Sequence, residues 1–240
     1  MLYVEGRTDL DILRALAERL NHPVATSWDP QINTYFVQDN FPNRDLDSEM
    51  ARVEGGYGMT PQKHFFGLYN MVPQLQGLAI LDSNSTLRTD TDEENLIIKY
   101  WRRYEIENYF ITPAVLRKYA MNAYADMPLF AGLWERDIEA ILDALIRERL
   151  FSNNAMDFET WQKLDDNGKR LLWERSTERI KLSDFGETFF RKVAEQLGFP
   201  MLLRKGDLYK LVKFVDPASI SEEVGETLDL LQTLFDGGGS

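Results

Sequence analysis

The chain has 240 residues, of which 44% are hydrophobic and 28% are charged, so it can bury a core and wholesale disorder is excluded. Because it has no cysteine and only two histidines, we exclude disulfide frameworks, Cys-type zinc sites, thiolate nucleophiles, iron–sulfur clusters and His-rich metal sites. The net charge of -12 argues against a generic nucleic-acid coat protein, but not against an enzyme that meets nucleic acid through divalent cations.

The first half of the chain alternates between predicted strands and predicted helices. Apolar, β-branched and aromatic runs predict three strands, at Leu2–Val4, Thr34–Val37 and Leu78–Leu81. Apolar residues at helical spacing predict helices at Thr8–Leu20 and Pro61–Leu75. This alternation predicts an α/β unit with a small parallel sheet.

Two local features support these predictions. Thr8 is expected to be the N-cap of the first helix, with Asp11 as the acid of a capping box. The third strand is a short continuous apolar run, which suits a parallel sheet that is covered on both faces. Residues 39–60 are expected to form a loop or an insertion.

The second half of the chain has a different pattern. From about Glu93 onward it is predicted to be helical almost throughout, and the one candidate strand after the third is Ile106–Ile111. The clearest predicted helices are Ala131–Leu150, Trp161–Lys181, Phe185–Leu197 and Leu208–Phe214. The expected fold class is therefore α/β, with a small parallel sheet and a helical C-terminal elaboration.

The same patterns suggest limits for the domains. We expect residues 1–112 to form the core that contains the sheet, and residues 113–236 to form the helical elaboration. Residues 237–240, Gly-Gly-Gly-Ser, have the composition of a flexible linker or an expression scar. Because the chain starts inside a strand, we expect either a domain cut from a longer protein or a very compact start.

Residues 4–9, Val-Glu-Gly-Arg-Thr-Asp, form the strongest chemical pattern in the sequence. Glu5 ends the first strand and Asp9 lies in the first turn of the next helix, so two carboxylates converge at the carboxyl edge of a parallel strand. Open α/β sheets bind their ligands at this edge. The alternative interpretation makes Asp9 an acid that favours the helix dipole and Glu5 a solvated strand end.

Asp82 and Asn84 follow the third strand and, two residues apart on an extended segment, face the same way. Their oxygen atoms suit Mg²⁺ or Mn²⁺, although Asp, Ser and Asn are also favoured in turns. Acids at two strand ends of one sheet repel one another unless a divalent cation neutralises them. Together the two patterns therefore predict a metal site.

This pair of motifs resembles the Toprim domain, the metal-binding fold shared by topoisomerases, bacterial primases and some nucleases. Residues 5–9 match its glutamate motif. Residues 82–84, Asp-Ser-Asn, match its Asp-x-Asp motif with the second Asp replaced. The resemblance implies a Toprim-like Rossmannoid core.

Two further stretches are similar to elements of the OLD-type (overcoming lysogenization defect) nucleases and of related Toprim nuclease subunits in phage-defence systems. Residues 101–110 resemble the Glu-Asn-Tyr segment that follows the Asp motif in those proteins. Residues 204–208 are similar to the Lys-Gly element near the end of those domains. The resemblance extends over roughly residues 2–214.

The resemblance implies a role for each matching residue. Glu5 and Asp9 would bind metal and help to position or activate water, and Asp82 would be the central metal ligand. Glu107 would be a further ligand, and Lys205 would stabilise charge on the scissile phosphate. The implied cofactor is one or two Mg²⁺ or Mn²⁺ ions.

Asn84 is the departure from the family pattern. An amide oxygen can coordinate Mg²⁺ but brings no charge, so a second metal would bind more weakly. Asp90 or Asp92, on the polar stretch that follows, could compensate. The departure leaves two-metal cleavage, one-metal nicking and an inactive site open.

Other conspicuous residues have simpler interpretations. The aromatic residues of the third stretch are expected in the core rather than stacked on bases: Trp101, Tyr104, Tyr109 and Phe110. A local set of basic residues either follows a phosphate backbone or forms solvated helix faces: Lys99, Arg102, Arg103, Arg117 and Lys118. We expect His64 to be structural, and the acidic run 90–94 to be a solvated helix start.

The predicted function is that of a Mg²⁺- or Mn²⁺-dependent DNA endonuclease or nickase of the OLD-like Toprim type. The resemblance implies an ABC-type ATPase domain or subunit as partner, in phage defence or DNA processing. No Walker motif occurs in the sequence, so that ATPase would lie elsewhere. The alternatives are a catalytically degenerate Toprim module that binds an ATPase partner, and a Toprim ribonuclease.

The sequence also indicates which compartment and which partners to expect. No stretch approaches the ~20 apolar residues that span a bilayer, so no membrane partner is expected and the cytoplasm is the simplest compartment. DNA is the expected substrate. The sequence leaves a homo-oligomer open.

Overall fold

The structure contains a mostly parallel sheet together with helices, which confirms the α/β class predicted from the sequence. A computed structural model describes residues 1–28, 33–37, 60–83, 88–123, 131–151, 158–198 and 200–237. It divides the chain into two compact units. The first unit holds Met1–Arg102 and Ser221–Ser240, and the second holds Arg103–Ile220.

The sheet lies in the first unit. In chain order its strands are β1 (Leu2–Val4), β2 (Thr34–Phe36), β3 (Gly77–Leu81), β4 (Thr91–Glu93) and β5 (Leu96–Tyr100). Their spatial order is β2-β1-β3-β5-β4. The first four strands in this order pair in parallel, and β4 closes one edge as an antiparallel strand.

Helices of the described residues fall into both units. Those of the first unit are α1 (Arg7–Arg19), α2 (Val24–Ser27), α3 (Pro61–Tyr69) and, as numbered in chain order, α9 (Glu222–Gly237). Those of the second unit are α4 (Pro113–Ala123), α5 (Ala131–Ile146), α6 (Phe158–Lys163), α7 (Asp166–Thr177) and α8 (Leu182–Leu197). Helix α5 continues as a π-helix, and there are 3₁₀-helices at Ile106–Tyr109, Lys205–Phe214 and Pro217–Ser219. No helix in the described part of the chain is long and apolar enough to cross a membrane.

Strands β1 and β3 lie at the centre of the sheet because their sequences are apolar at every position. All residues of both strands are buried, as expected for parallel strands that are covered on both faces. On one face, Tyr3, Ala79 and Ile98 lie side by side across the sheet and pack with Phe65 of α3. The opposite face is covered by α1 and α9.

The prediction that Thr8 caps α1 is wrong. The N-cap is Gly6, and the carboxylate of Asp9 accepts a hydrogen bond from the Gly6 N–H at 2.9 Å. A carboxylate in the third helical position reaches back to the N-cap amide, so Asp9 and not Asp11 is the acid of the capping box. Helix α3 begins at Pro61 as predicted but ends at Tyr69, before Leu75.

The prediction of a helical chain from Glu93 onward is wrong at its start. Residues 91–100 form the β4–β5 hairpin, and the acidic run is an exposed edge strand rather than a helix start. Glu94 and Asn95 have φ values of 36° and 72°. Positive φ at both turn residues matches the right-handed twist of the strands that they join.

Two further predictions for the second half need correction. The candidate strand Ile106–Ile111 is a 3₁₀-helix over Ile106–Tyr109. The single helix expected at Trp161–Lys181 is divided into α6 and α7, because Asp165 accepts a hydrogen bond from Gly168 N–H at 2.7 Å and starts a new helix. Helix α9 lies within the stretch that was expected to be helical, although its limits were not predicted.

Candidate functional site

Glu5 and Asp82 lie at the same edge of the sheet. Val4, the last residue of β1, pairs with Ile80 of the neighbouring parallel strand β3. Glu5 follows Val4 directly, and Asp82 directly follows the end of β3. The backbone N–H of Asp82 donates to Glu5 Oε1 at 3.3 Å, and both residues are half-buried. The structure therefore brings these two acids together where parallel sheets bind ligands.

Asp9 lies in the first turn of α1, and at least one of its carboxylate oxygens has a hydrogen-bond partner within that turn. Its Oδ2 accepts the hydrogen bond from Gly6 N–H, and the carboxylate is at the positive end of the helix. This contact gives Asp9 a capping role. The predicted role in metal binding stays a prediction.

The carboxylates of Glu5 and Asp82 could supply some, but not all, of the ligands of a Mg²⁺ ion. Within the described ranges, no group of three or more His, Asp and Glu side chains could hold a metal ion. Mg²⁺ is usually bound by one or two carboxylates, with water and substrate phosphates as its other ligands, so Glu5 and Asp82 fit this smaller requirement. Asn84 lies outside the described residues.

Glu223 is a carboxylate at this edge that the sequence analysis did not select. It lies in the first turn of α9, is 3% exposed, and its Oε1 accepts from Arg102 N–H at 2.8 Å. Arg102 is the second residue after β5, and β5 pairs with β3. No local sequence pattern could have identified Glu223, because it reaches the sheet from 121 residues away.

Glu107 and Lys205, the other predicted site residues, belong to the second unit. Glu107 is buried in the 3₁₀-helix Ile106–Tyr109. Lys205 begins the 3₁₀-helix Lys205–Phe214, and its Nζ donates to Asp184 Oδ1 at 3.0 Å. Their predicted roles as metal ligand and phosphate-binding cation stay predictions.

Glu105 is a second buried carboxylate that was not among the predicted site residues. It is 4% exposed, and its two oxygens accept hydrogen bonds from Ser183 N–H at 2.6 Å and from Ser183 Oγ at 3.1 Å. Burial raises the pKa of Glu105, although the two hydrogen bonds and the charges of Lys181 and Lys205 oppose this shift. Glu107 directly precedes Asn108 and Tyr109 and is therefore the Glu of the segment that resembles the Glu-Asn-Tyr element, whereas Glu105 lies two residues before it.

Asn108 fixes this segment in the second unit. Its Nδ2 donates to the carbonyls of Thr177 at 2.8 Å and Ile180 at 3.0 Å, and its Oδ1 accepts from Glu105 N–H. The guanidinium of Arg103 lies 4.8 Å from the centre of the Tyr109 ring. Trp101, Tyr109 and Phe110 are buried, which confirms that they belong to the core, whereas Tyr104 is only half-buried.

Most of the basic set is held in ion pairs rather than aligned along an open track. The pairs are Lys99–Asp90 and Arg102–Glu226 in the first unit, and Arg103–Glu174 and Arg117–Glu139 in the second. Two of these cations are largely buried, with side-chain exposures of 7% for Lys99 and 20% for Arg103, so the set does not form a single solvated surface.

His64 is part of an aromatic cluster on the sheet. Its Nδ1 shares a hydrogen bond of 3.0 Å with the Tyr3 hydroxyl, and its ring centre is 4.1 Å from that of Tyr35. Burial lowers the pKa of His64 and raises that of Tyr3. These contacts support the structural role expected for His64.

The second unit also contains a cleft of about 520 Å³. Its apolar lining includes Val115, Leu142 and Trp161. Its lining also contains cationic and acidic side chains in equal number, among them the Arg117–Glu139 pair. The balanced charges do not select an anionic or a cationic ligand.

Comparison with known proteins adds no family assignment. No family model matches the sequence, and no curated protein matches it. The family interpretation therefore depends on the sequence motifs, and the site interpretation depends on the geometry given above.

Proposed function

We propose that this protein is a Mg²⁺- or Mn²⁺-dependent DNA endonuclease or nickase of the Toprim type. The observation that carries the proposal is the contact between Glu5 and Asp82 at the carboxyl edge of two neighbouring parallel strands. Both acids come from motifs that resemble the Toprim glutamate and aspartate motifs. An ABC-type ATPase partner and a role in phage defence are part of the same proposal.

The chain's own residues have a simple task in this chemistry. Glu5 and Asp82 supply carboxylate oxygens to a divalent cation, and the Asp82 N–H fixes the orientation of Glu5. When bound, the cation supplies positive charge for the transition state and lowers the pKa of water. In a chain with net charge -12, such a cation also offsets the repulsion between protein and DNA.

A plasmid-nicking assay tests the proposal. We expect the purified protein to nick supercoiled DNA with Mn²⁺ and to stop when EDTA is added. Glu5→Gln and Asp82→Asn keep the side-chain shape but remove charge. We expect each to lower the rate by about 100-fold or more, since even groups that only orient metal ligands are worth ~10–100-fold.

The matched control is Glu93→Gln, which removes one acid from the exposed edge strand β4. It should nick at the wild-type rate, because its loss changes the net charge equally but leaves the β1–β3 edge intact. Wild-type activity in Glu5→Gln would refute the proposal. Labelled RNA in a parallel reaction distinguishes a ribonuclease from a deoxyribonuclease.

A second candidate function is that of a catalytically degenerate module that binds an ATPase partner. It is favoured by Asn84 in place of the second motif acid and by the capping contact of Asp9. Calorimetric titration with Mn²⁺ separates the two candidates. Absence of binding at millimolar Mn²⁺ favours the module, and saturable binding favours the nuclease.

A further inference from the structure

Lys205 is held by a neighbouring helix of the second unit. Its Nζ donates to Asp184 Oδ1 at 3.0 Å, and its side chain is 43% exposed. Asp184 lies in the first turn of α8. The ammonium group is therefore fixed on one side and accessible to solvent on the other.

The first turn of α8 is itself fixed by a distant residue. Its N-cap, Lys181, makes no side-chain capping bond. Instead, the buried Glu105 accepts from both the N–H and the hydroxyl of Ser183, which is fully buried. A helix needs partners for its first N–H groups, and Glu105 supplies one from 78 residues away.

The charges around Lys205 keep its ammonium form. Burial alone lowers the pKa of Lys205, but the hydrogen bond and charge of Asp184 and the charge of Glu105 outweigh it, so the pKa is raised. Lys205 is thus a cation at neutral pH, and its contact with Asp184 places it at a defined position. These contacts form a continuous series that runs from Glu105 through the first turn of α8, which contains Asp184, to Lys205.

We propose that Glu105 and Asp184 are positioning residues for Lys205, which they present as a fixed cation to a phosphodiester oxygen. Glu105 fixes the start of α8, and Asp184 on that turn holds the ammonium group. The phosphodiester part of this inference rests on the proposed nuclease function. The positioning part rests on contacts within the second unit alone.

Competitive acetylation tests the positioning part without any nuclease assay. Trace acetic anhydride is applied across the alkaline range, and acetylation of each lysine is measured by mass spectrometry. In Asp184→Asn we expect the labelling curve of Lys205 to move to lower pH, and in Glu105→Gln to move less in the same direction. Lys210, which pairs with Asp207 on the same 3₁₀-helix, is the internal control and should not change.

An unchanged Lys205 curve in Asp184→Asn overturns the proposal. Asp184 is exposed, so this variant is expected to fold, and circular dichroism checks that it does. If Glu105→Gln unfolds, Asp184→Asn still decides the question. Ser183→Ala then tests the cap by removing one of the two hydrogen bonds to Glu105.

Plasmid nicking tests the catalytic part. We expect Asp184→Asn to lower kcat by ~10-fold or more with KM for DNA nearly unchanged, as for other groups that orient a reacting residue. Glu195→Gln, which loses the exposed pair with Arg191 near the other end of α8, should keep wild-type kcat. If the wild type nicks and Asp184→Asn keeps its kcat, the positioning role is wrong. If the wild type does not nick, the nuclease proposal fails and the labelling result alone decides the positioning.

Discussion

Gly77 begins β3, and we predict that Gly77→Ala destabilises the protein. A Cβ at this position would lie 2.8 Å from Leu96 Cδ1 and 2.8 Å from two ring carbons of Phe65. Both neighbours are fully buried, so neither can move aside into solvent. The strand matters for the candidate site because its other end leads directly to Asp82.

The size of the effect follows from two opposing terms. Forcing an extra methyl group into a packed core costs roughly 1–3 kcal/mol. Replacing glycine also restricts the unfolded chain, which returns about 0.4–1 kcal/mol. We therefore expect a net loss of about 1–2 kcal/mol in the free energy of unfolding.

Gly67→Ala is the matched control. Gly67 lies on the exposed side of α3, and its Cβ would have no heavy atom within 4 Å. Here only the backbone terms act, so the substitution should stabilise the protein by about 0.5–1 kcal/mol. Urea unfolding followed by circular dichroism measures both variants. A Gly77→Ala variant as stable as the wild type would refute the packing argument, provided that Gly67→Ala shows the expected gain.

Three other predictions concern stability. Because burial lowers the pKa of His64 below its ordinary 6.5, the folded state binds fewer protons than the unfolded state, so stability should fall as pH drops below 6.5. His64→Gln should lose this part of the pH dependence in unfolding experiments between neutral and acidic pH. Asn108→Ala leaves two carbonyls without their hydrogen bonds and should lower the free energy of unfolding, measured in urea, by about 2–3 kcal/mol. A loss of less than about 1 kcal/mol would contradict this expectation. Gly198→Ala places a side chain at φ 71°, where there is space but an unfavourable backbone, and should lower stability by about 1 kcal/mol in the same assay; no loss would show that the turn adapts.

The central strands could be predicted because their patterns are local. The apolar runs at residues 2–4 and 78–81 admit few structures other than buried parallel strands, and the structure contains both. The hairpin of β4 and β5 was missed, although Leu96–Tyr100 contains a β-branched apolar run and follows a polar two-residue turn. The acidic residues before it are also typical of a helix start, so the local pattern admits both structures.

The candidate site also contains some residues that could be predicted from the sequence and others that could not. Glu5 and Asp82 could be paired from the sequence, because parallel neighbours end at one edge and the acids directly follow the strands. Glu105 and Glu223 could not be found, because each acts on a backbone group that lies far away along the chain. Only tertiary structure identifies such contacts.

The central claim is that Glu5 and Asp82 bind the same divalent cation. Titration with Mn²⁺ followed by electron paramagnetic resonance tests it in the wild type, Glu5→Gln, Asp82→Asn and the double variant. If the two carboxylates share one ion, each single variant loses most of the affinity and the double variant loses little more. Wild-type affinity in either single variant, or losses that simply add in the double variant, would contradict the claim.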